Sequence, residues 1–348
     1  MKKLLTIDGA YGEGGGQIVR TALTLAAILT RPVRIENIRA GRKNPGLAAQ
    51  HLTAVRAAAM ICDAEVLGDE PGSTTLTFIP ESAPSPGLYE FDVADAREGG
   101  SAGAATLVLQ TILLPLALAD KASEVEIKGG THVAWSPSFH YLRDVYLPTL
   151  ARWGVSANIE LPAWGWYPTG GGAIKAAIPG QARLAGNGDW QNRGELQQVK
   201  GVAIASSLPA HIAQRIRNRA VNLLAQAGLP TAIEPQRVRS DSPGAGIFLT
   251  AEYENVRAGF SALGKKGKPS EQVAQEAADA LLAYHHSGAV VDVHLADQLI
   301  VPVALAEWSG TLSVEQVSNH TLTNLWVVEQ FLGSVARVDQ KEKLIIFR

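Results

Sequence analysis

Three stretches of the 348-residue sequence carry side chains suited to phosphate chemistry. The first runs Gly9-Ala-Tyr-Gly-Glu-Gly-Gly-Gly-Gln17, with Arg20 one helical turn beyond. Consecutive glycines before a helix expose backbone N–H groups where an anion is favoured. Glu13 inside that loop would repel phosphate unless a divalent cation sits between them. A tight strand-to-helix turn with a solvated glutamate would give the same sequence. The second stretch, Arg39 to His51, places Arg39, Arg42 and Lys43 on a loop ahead of a helix expected over Pro45–Ile61, on which Gln50 and His51 can share a face. Paired guanidiniums bind phosphate bidentately, fixing geometry as well as charge. An ordinary solvated loop is the competing description. The third is His320, between a strand and the final apolar helix, and a lone loop histidine is more often a surface or capping group. The remaining histidines, including His132 and His140, read as structural, and Cys62 reads as core.

Familiar nucleotide devices are missing from the sequence. There is no G-x-x-x-x-G-K-[ST]; Gly264-Lys-Lys-Gly-Lys-Pro269 has the wrong spacing and a proline where Ser or Thr is needed. G-x-G-x-x-G fails at Gln17, and the adenylylation motif K-x-D-G fails because Thr6 precedes Asp8-Gly9 by two positions. One cysteine rules out an internal disulfide and any cysteine-cluster zinc site. Net charge is -2, but residues 1–60 hold nine Lys and Arg against only Asp8, Glu13 and Glu36. Such a local basic region suits a confined anion better than a long duplex. With 46% hydrophobic residues the chain can bury a core. The apolar run from Ala102 to Ala119 contains Gln110 and Pro115, so it reads as a buried helix rather than a membrane span. These features predict a soluble, cytoplasmic protein.

The elements that must carry these residues recur. A short strand, a Gly-rich or polar loop and an apolar helix occur at Leu4–Leu29, at Tyr89–Ala119 and at Ala289–Glu307. In the last, Ala289–Val293 is expected as strand, His294–Asp297 as loop and Gln298–Glu307 as helix. Each is followed by a strand, another helix and two closing strands, giving βαβαββ three times. Residues 181–285 interrupt the series and open on the loop-like run from Leu184 to Asp189. They predict four elements, with Ser270 capping a helix over Glu271–His285. The prediction is an α/β (α+β) fold: a large domain, 1–180 with 286–348, and a smaller α/β insert, 181–285.

Read together, the stretches resemble the RNA 3'-terminal phosphate cyclase family along nearly the whole chain. The resemblance lies in DGAYGEGGGQIVR (Asp8–Arg20), IRAGRKNPGLAAQHL (Ile38–Leu52), GGSAGAATLVLQTILLP (Gly99–Pro115), GGTHVAWSPSF (Gly129–Phe139), HLADQL (His294–Leu299) and NHTLTNLWVVEQFL (Asn319–Leu332). It implies three βαβαββ repeats like the C-terminal domain of translation initiation factor 3, plus an inserted domain. It further implies a ligase that uses ATP to convert an RNA 3'-phosphate into a 2',3'-cyclic phosphodiester through a covalent histidine–AMP intermediate. By that resemblance His320 is the nucleophile, and Glu13 holds Mg²⁺ or Mn²⁺. Arg20, Arg39, Arg42, Gln50 and His51 receive phosphate and the RNA end. Gln110, Pro137, His294, Leu295, Ala296, Asp297 and Gln298 meet ATP, with Pro137 on the adenine. The partners implied are ATP and RNA 3'-phosphate ends, with no membrane, and a homodimer is compatible with the family. The sequence departs from the family pattern at Ser138 and His140, where a second proline and an acidic residue are usual. Two other classes share this kind of fold: non-catalytic relatives acting in ribosome assembly, which lack the histidine, and enolpyruvyl transferases, whose motifs do not occur here.

Overall fold

A computed structural model describes residues 3–96, 101–186 and 190–348. Gly99 and Gly100 of the second Gly-rich loop, and 187–189 of the expected junction run, lie outside the described residues. The chain is mixed α/β.

The first unit runs β1 (Leu5–Asp8), α1 (Gly16–Leu29), β2 (Val33–Glu36), α2 (Ala49–Cys62), β3 (Glu65–Leu67) and β4 (Leu76–Ile79). Its sheet has the order β1-β2-β4-β3, with β1 and β2 parallel and β4 antiparallel to both neighbours. In β2, Val33 and Ile35 are buried while Arg34 and Glu36 are half-buried, the two-residue period of a strand with one face on the core. α1 is rich in Ala and Leu, buries nearly every side chain, and stops where Thr30 turns left-handed. Cys62 is buried at the end of α2, as its apolar context requires.

The second unit repeats that strand order. β5 (Leu88–Asp92), α3 (Ala105–Leu118) and β6 (Ser123–Gly129) lead to α4 (Phe139–Tyr141), a π-helical segment Leu142–Tyr146 and α5 (Leu147–Arg152), then β7 (Asn158–Ala163) and β8 (Gly172–Ile178). Its order is β5-β6-β8-β7. The apolar run is indeed a buried helix: α3 is 14 residues long with Pro115 inside it. No helix among the described residues is long and apolar enough to cross a membrane.

Residues 196–287 build a sheet of order β10-β9-β11-β12 from β9 (Leu196–Ser206), β10 (Thr231–Val238), β11 (Gly244–Tyr253) and β12 (Arg257–Leu263), with α6 (Ala210–Gln226) and α7 (Ser270–Ser287). The sequence predicted two strands here, and the structure has four. β10 escapes notice because Pro235 interrupts an exposed edge strand, where a missing N–H costs little. β12 escapes because it pairs with β11 across the short turn at Glu254-Asn255. Pro269, not Ser270, is the cap residue of α7; Ser270 is its first helical residue and its side chain makes no cap bond.

The third unit differs most from expectation. Instead of a strand over 289–293 there is only a parallel bridge between Val291 and Val314. The expected loop His294–Asp297 is helical, in α8 (Val293–Gln298), because the Asp292 carboxylate accepts from the N–H groups of His294 and Leu295 and starts the helix early. α9 (Ile300–Leu305), β13 (Gly310–Ser313), α10 (Asn319–Leu332), β14 (Ala336–Asp339) and β15 (Leu344–Phe347) complete it, with order β13-β15-β14. α1 packs on α2, α3 and α10, and α10 packs on α8 and α9. That helix layer brings the loop after β1 against the first turn of α10.

Candidate active site

The Gly-rich loop is pinned to α10 at two points. The Glu13 N–H donates to Thr323 Oγ1 at 3.0 Å, and Tyr11 stacks on Trp326 with ring centroids 3.9 Å apart. Gly12 sits so close to Thr323 that a methyl group there would lie 2.3 Å from Oγ1, and its φ of 57° also favours glycine. Glu13 Oε1 forms an ion pair with Arg42, whose guanidinium also donates to the Glu13 carbonyl at 3.2 Å. Glu13 Oε2 is buried without a hydrogen-bond partner and lies 3.7 Å from His320 Nδ1. An unpaired buried carboxylate oxygen is costly unless something binds it, and a hard divalent cation fits that donor. No cluster of three or more His, Cys, Asp or Glu exists among the described residues, so phosphate oxygens and water would supply the other ligands of such an ion.

His320 lies in the first turn of α10, and the Ser318 hydroxyl caps that turn by accepting from the Thr321 N–H at 3.1 Å. The ring is half-exposed, and its Nδ1 is 2.8 Å from Gln17 Oε1. Burial lowers its pKa below the ordinary value, and Arg20, Arg42 and His294 push the same way. The group is therefore a neutral imidazole at pH 7. Gln17 in turn donates through Nε2 to Asp297 Oδ2 at 3.1 Å. Burial raises Asp297 to about 7 against the pull of Gln17 and Arg20.

Arg20 and His51 meet at Gly16, where an added methyl would lie 2.0 Å from His51 Nε2 and 3.1 Å from an Arg20 nitrogen. Desolvation lowers Arg20 to about 10 although Asp297 works the other way, so it keeps its charge at pH 7. Burial, then Arg20 and Arg39, push His51 down to about 3, making it a neutral polar group. Arg39 is held with φ at 53° and donates to the Gly46 carbonyl at 2.7 Å. Gln50 Oε1 accepts from the Ala104 N–H at 2.9 Å and so joins α2 to the start of α3. One face of α3 then leads to Gln110, which donates to Gln298 Oε1 at 2.7 Å.

Glu13, Arg20, Arg42, His51, Asp297 and His320 thus form one connected group, with Gln50, Gln110 and Gln298 at its border. Leu295 and Ala296 are core side chains and offer only backbone to a ligand. His294 is exposed and meets Tyr141 edge-on at 6.3 Å. Pro137 lies in the loop before α4, the loop whose Val133 packs with Ala104 and Leu107 of α3. The two departures have structural roles: Ser138 caps α4, and His140 Nδ1 is 2.9 Å from His132 Nε2 in a buried pair.

The sequence shows Gln17, Thr323 and Asn324 inside the quoted stretches but assigns them no role, and these residues hold the group together. Thr323 and Asn324 fall three and four positions after His320, on the same helix face. Asn324 accepts from Thr21 Oγ1 at 2.6 Å and donates to the Asp297 carbonyl. Gln17 precedes Arg20 by three and shares its face in the same way. That periodicity was the available signal.

Arg20, Arg42 and His51, an unpaired carboxylate oxygen and a neutral imidazole beside them make an arrangement that can receive a phosphate and present a ring nitrogen to it. Comparison with known proteins gives the family. The sequence profile of the family described as RNA 3'-terminal phosphate cyclase matches residues 11–338. Proteins named RNA 3'-terminal phosphate cyclase from Nostoc punctiforme and Methylococcus capsulatus are 54% and 55% identical over 342 and 336 residues, covering 98% and 97% of this chain and 98% and 92% of theirs. One of the same name from Methanosarcina barkeri is 44% identical over 98% of both chains. The chain belongs to the RNA 3'-terminal phosphate cyclase family.

Proposed function

We propose that the site carries out RNA 3'-terminal phosphate cyclisation with ATP, with His320 as the group that takes up AMP. The observation that carries the assignment of His320 is its neutral ring beside Arg20 and Arg42, on a helix anchored to the Gly-rich loop. A neutral imidazole attacks phosphorus without prior loss of a proton, which an ammonium could not do at pH 7. In the first step a ring nitrogen bonds to the α-phosphorus and diphosphate leaves. In the second, an oxygen of the RNA 3'-phosphate takes the adenylyl group and the histidine is freed. In the third, the neighbouring ribose 2'-OH attacks the 3'-phosphorus, AMP departs and the 2',3'-cyclic diester remains. The 2'-OH makes this a reaction of RNA.

Arg20, Arg39 and Arg42 would neutralise the triphosphate and the RNA end, with Gln50 and His51 beside them as uncharged partners. Glu13 Oε2 would hold Mg²⁺ or Mn²⁺, which supplies charge neutralisation of the phosphates. Gln110, His294, Asp297, Gln298 and Pro137, with the backbone of Leu295 and Ala296, would border the nucleotide. We extend the proposal to architecture: residues 1–180 with 286–348 as one domain built like the C-terminal domain of initiation factor 3, and 181–285 as an insert. The shared strand order of the first two sheets and the separate sheet of β9–β12 support it.

The test is an RNA with a labelled 3'-phosphate, incubated with the protein, ATP and Mn²⁺. The reading predicts termini that resist phosphatase and yield a 2',3'-cyclic nucleotide on digestion. Termini that stay phosphatase-sensitive would favour an RNA-binding role without catalysis.

A further inference from the structure

Asp292 is 1% exposed and stands where three parts of the chain meet. Its Oδ1 accepts from the His294 N–H, the Leu295 N–H and the Tyr141 hydroxyl, each at 2.9 Å. Its Oδ2 accepts from the Gly259 N–H at 3.2 Å. One carboxylate thus joins α8 of the third unit, α4 of the second and β12 of the sheet β9–β12. Starting α8 needs only one of the two oxygens, and a serine or an asparagine would supply that. A carboxylate is costly to bury unless both oxygens are used. Among the described residues the second oxygen has one partner, the Gly259 N–H.

Both sides of this link are built for close approach. β12 is an outer strand that pairs only with β11, so some of its N–H groups have no partner within the sheet. A methyl group on Gly259 would lie 2.6 and 2.8 Å from ring carbons of Tyr141 and 2.8 Å from a methyl carbon of Val145. Only glycine lets the strand lie so directly on that ring. On the other side, the first N–H groups of α8 are all taken. Val293 donates to Glu315 Oε2 at 3.2 Å, His294 and Leu295 to Asp292 Oδ1, and Ala296 to the Asp292 carbonyl at 3.0 Å. α8 therefore meets a ligand through side chains and carbonyls, and its orientation decides where those stand. His294 also meets the Tyr141 ring edge-on, and Gln298 accepts from Gln110.

We propose that Asp292 is a positioning residue through which the sheet β9–β12 sets the orientation of α8, and with it His294 and Gln298 at the nucleotide. Oδ1 holds α8 and Tyr141 to each other, and Oδ2 ties that pair to Gly259. This rests on the reading of α8 as a border of the ATP site. None of the residues assigned to that site lies in the sheet β9–β12, so the link gives the sheet a part in ATP binding without contact to ATP.

Asp292→Asn separates the two oxygens. Three donors face one side of the group and one donor the other, so the amide oxygen keeps α8 and Tyr141 while the NH₂ is left against the Gly259 N–H. Gly259→Ala attacks the same link from the strand. The first measurement is hydrogen–deuterium exchange of the whole protein without nucleotide. In Asp292→Asn, exchange should be about threefold or more faster both over residues 257–263 and over residues 293–298. Faster exchange confined to 257–263, or none, overturns the proposal. The second measurement is self-adenylylation across ATP concentrations. Each variant should raise the half-saturating ATP concentration by about three- to tenfold, the worth of one hydrogen bond. The maximal rate should change by less than about twofold, because His320 stands on α10, which is anchored separately through Thr323. The double variant should be no weaker than the weaker single one, since both break one link. An unchanged half-saturating concentration, a maximal rate that falls as much as affinity, or effects that multiply in the double variant also overturn the proposal. Absence of adenylylation in the unaltered protein would instead refute the ATP reading, and the exchange measurement, made without nucleotide, would still decide whether the sheet holds α8.

Discussion

Gly16→Ala is a small change whose local and functional effects should part company. Gly16 is the first residue of α1, and alanine there gains up to about 1 kcal/mol of helix propensity. Its methyl, however, would stand 2.0 Å from His51 Nε2, 2.7 Å from Cδ2 and 3.1 Å from an Arg20 nitrogen. His51 is only 4% exposed and is tied through Nδ1 to the Ala48 N–H, so it cannot swing away freely. Forcing a methyl into such a contact costs about 1–3 kcal/mol, which roughly offsets the propensity gain. The melting temperature should change by only a few degrees. Function should suffer more, because relief of the clash displaces one or both phosphate-facing side chains. A displaced charged hydrogen bond is worth about 1.5–3 kcal/mol, or roughly 10- to 150-fold in kcat/KM. Self-adenylylation with α-labelled ATP, measured across ATP concentrations beside a thermal melt, reads both effects. A Gly16→Ala protein with unaltered kcat/KM and melting temperature would refute the claim that this glycine makes room for Arg20 and His51.

Two further changes separate loop anchoring from electrostatics. Thr323→Val keeps the shape but removes the acceptor for the Glu13 N–H, a loss of about 1–3 kcal/mol in holding the loop. The half-saturating Mn²⁺ concentration for self-adenylylation should rise by roughly tenfold with little change in melting, and an unaltered Mn²⁺ dependence would contradict the anchoring role. Asp297 gives a pH signature: burial raises it from 3.8 to about 7, so between those values the folded state holds a proton that the unfolded state has released. Stability should fall as pH rises from about 4 to 7, by up to about 4 kcal/mol from this group, and Asp297→Asn should remove that slope. Denaturant midpoints of both proteins from pH 4 to 8 check it, and parallel profiles would overturn the assignment.

Much of the site could be read from the sequence because its parts are local. The glycines after β1, the arginines after β2 and the histidine opening α10 each sit where a strand or loop hands over to a helix. Phosphate binding needs only that handover. The helices α1, α3 and α10 were legible for a related reason, since their apolar character persists whatever packs on them. What stayed hidden depends on residues far apart in the chain. Gln17 lies 303 positions before His320 and 280 before Asp297, and nothing in its own segment shows that its amide meets both. Asp292 reads as a strand residue until its carboxylate is seen capping α8, bonding Tyr141 and accepting from the Gly259 N–H. His140 departs from the family pattern, and its partner, His132, is likewise inside the protein.

The central claim is that His320 becomes covalently adenylylated and passes AMP to an RNA 3'-phosphate. Its most direct measurement is incubation with ATP labelled at the α-phosphate and Mn²⁺, without RNA, followed by removal of free nucleotide and addition of RNA bearing a 3'-phosphate. The account predicts acid-labile label on the protein that is absent from His320→Ala, and its release as AMP when the RNA arrives, together with a 2',3'-cyclic end. No label, label that survives His320→Ala, or label that RNA cannot discharge would contradict it.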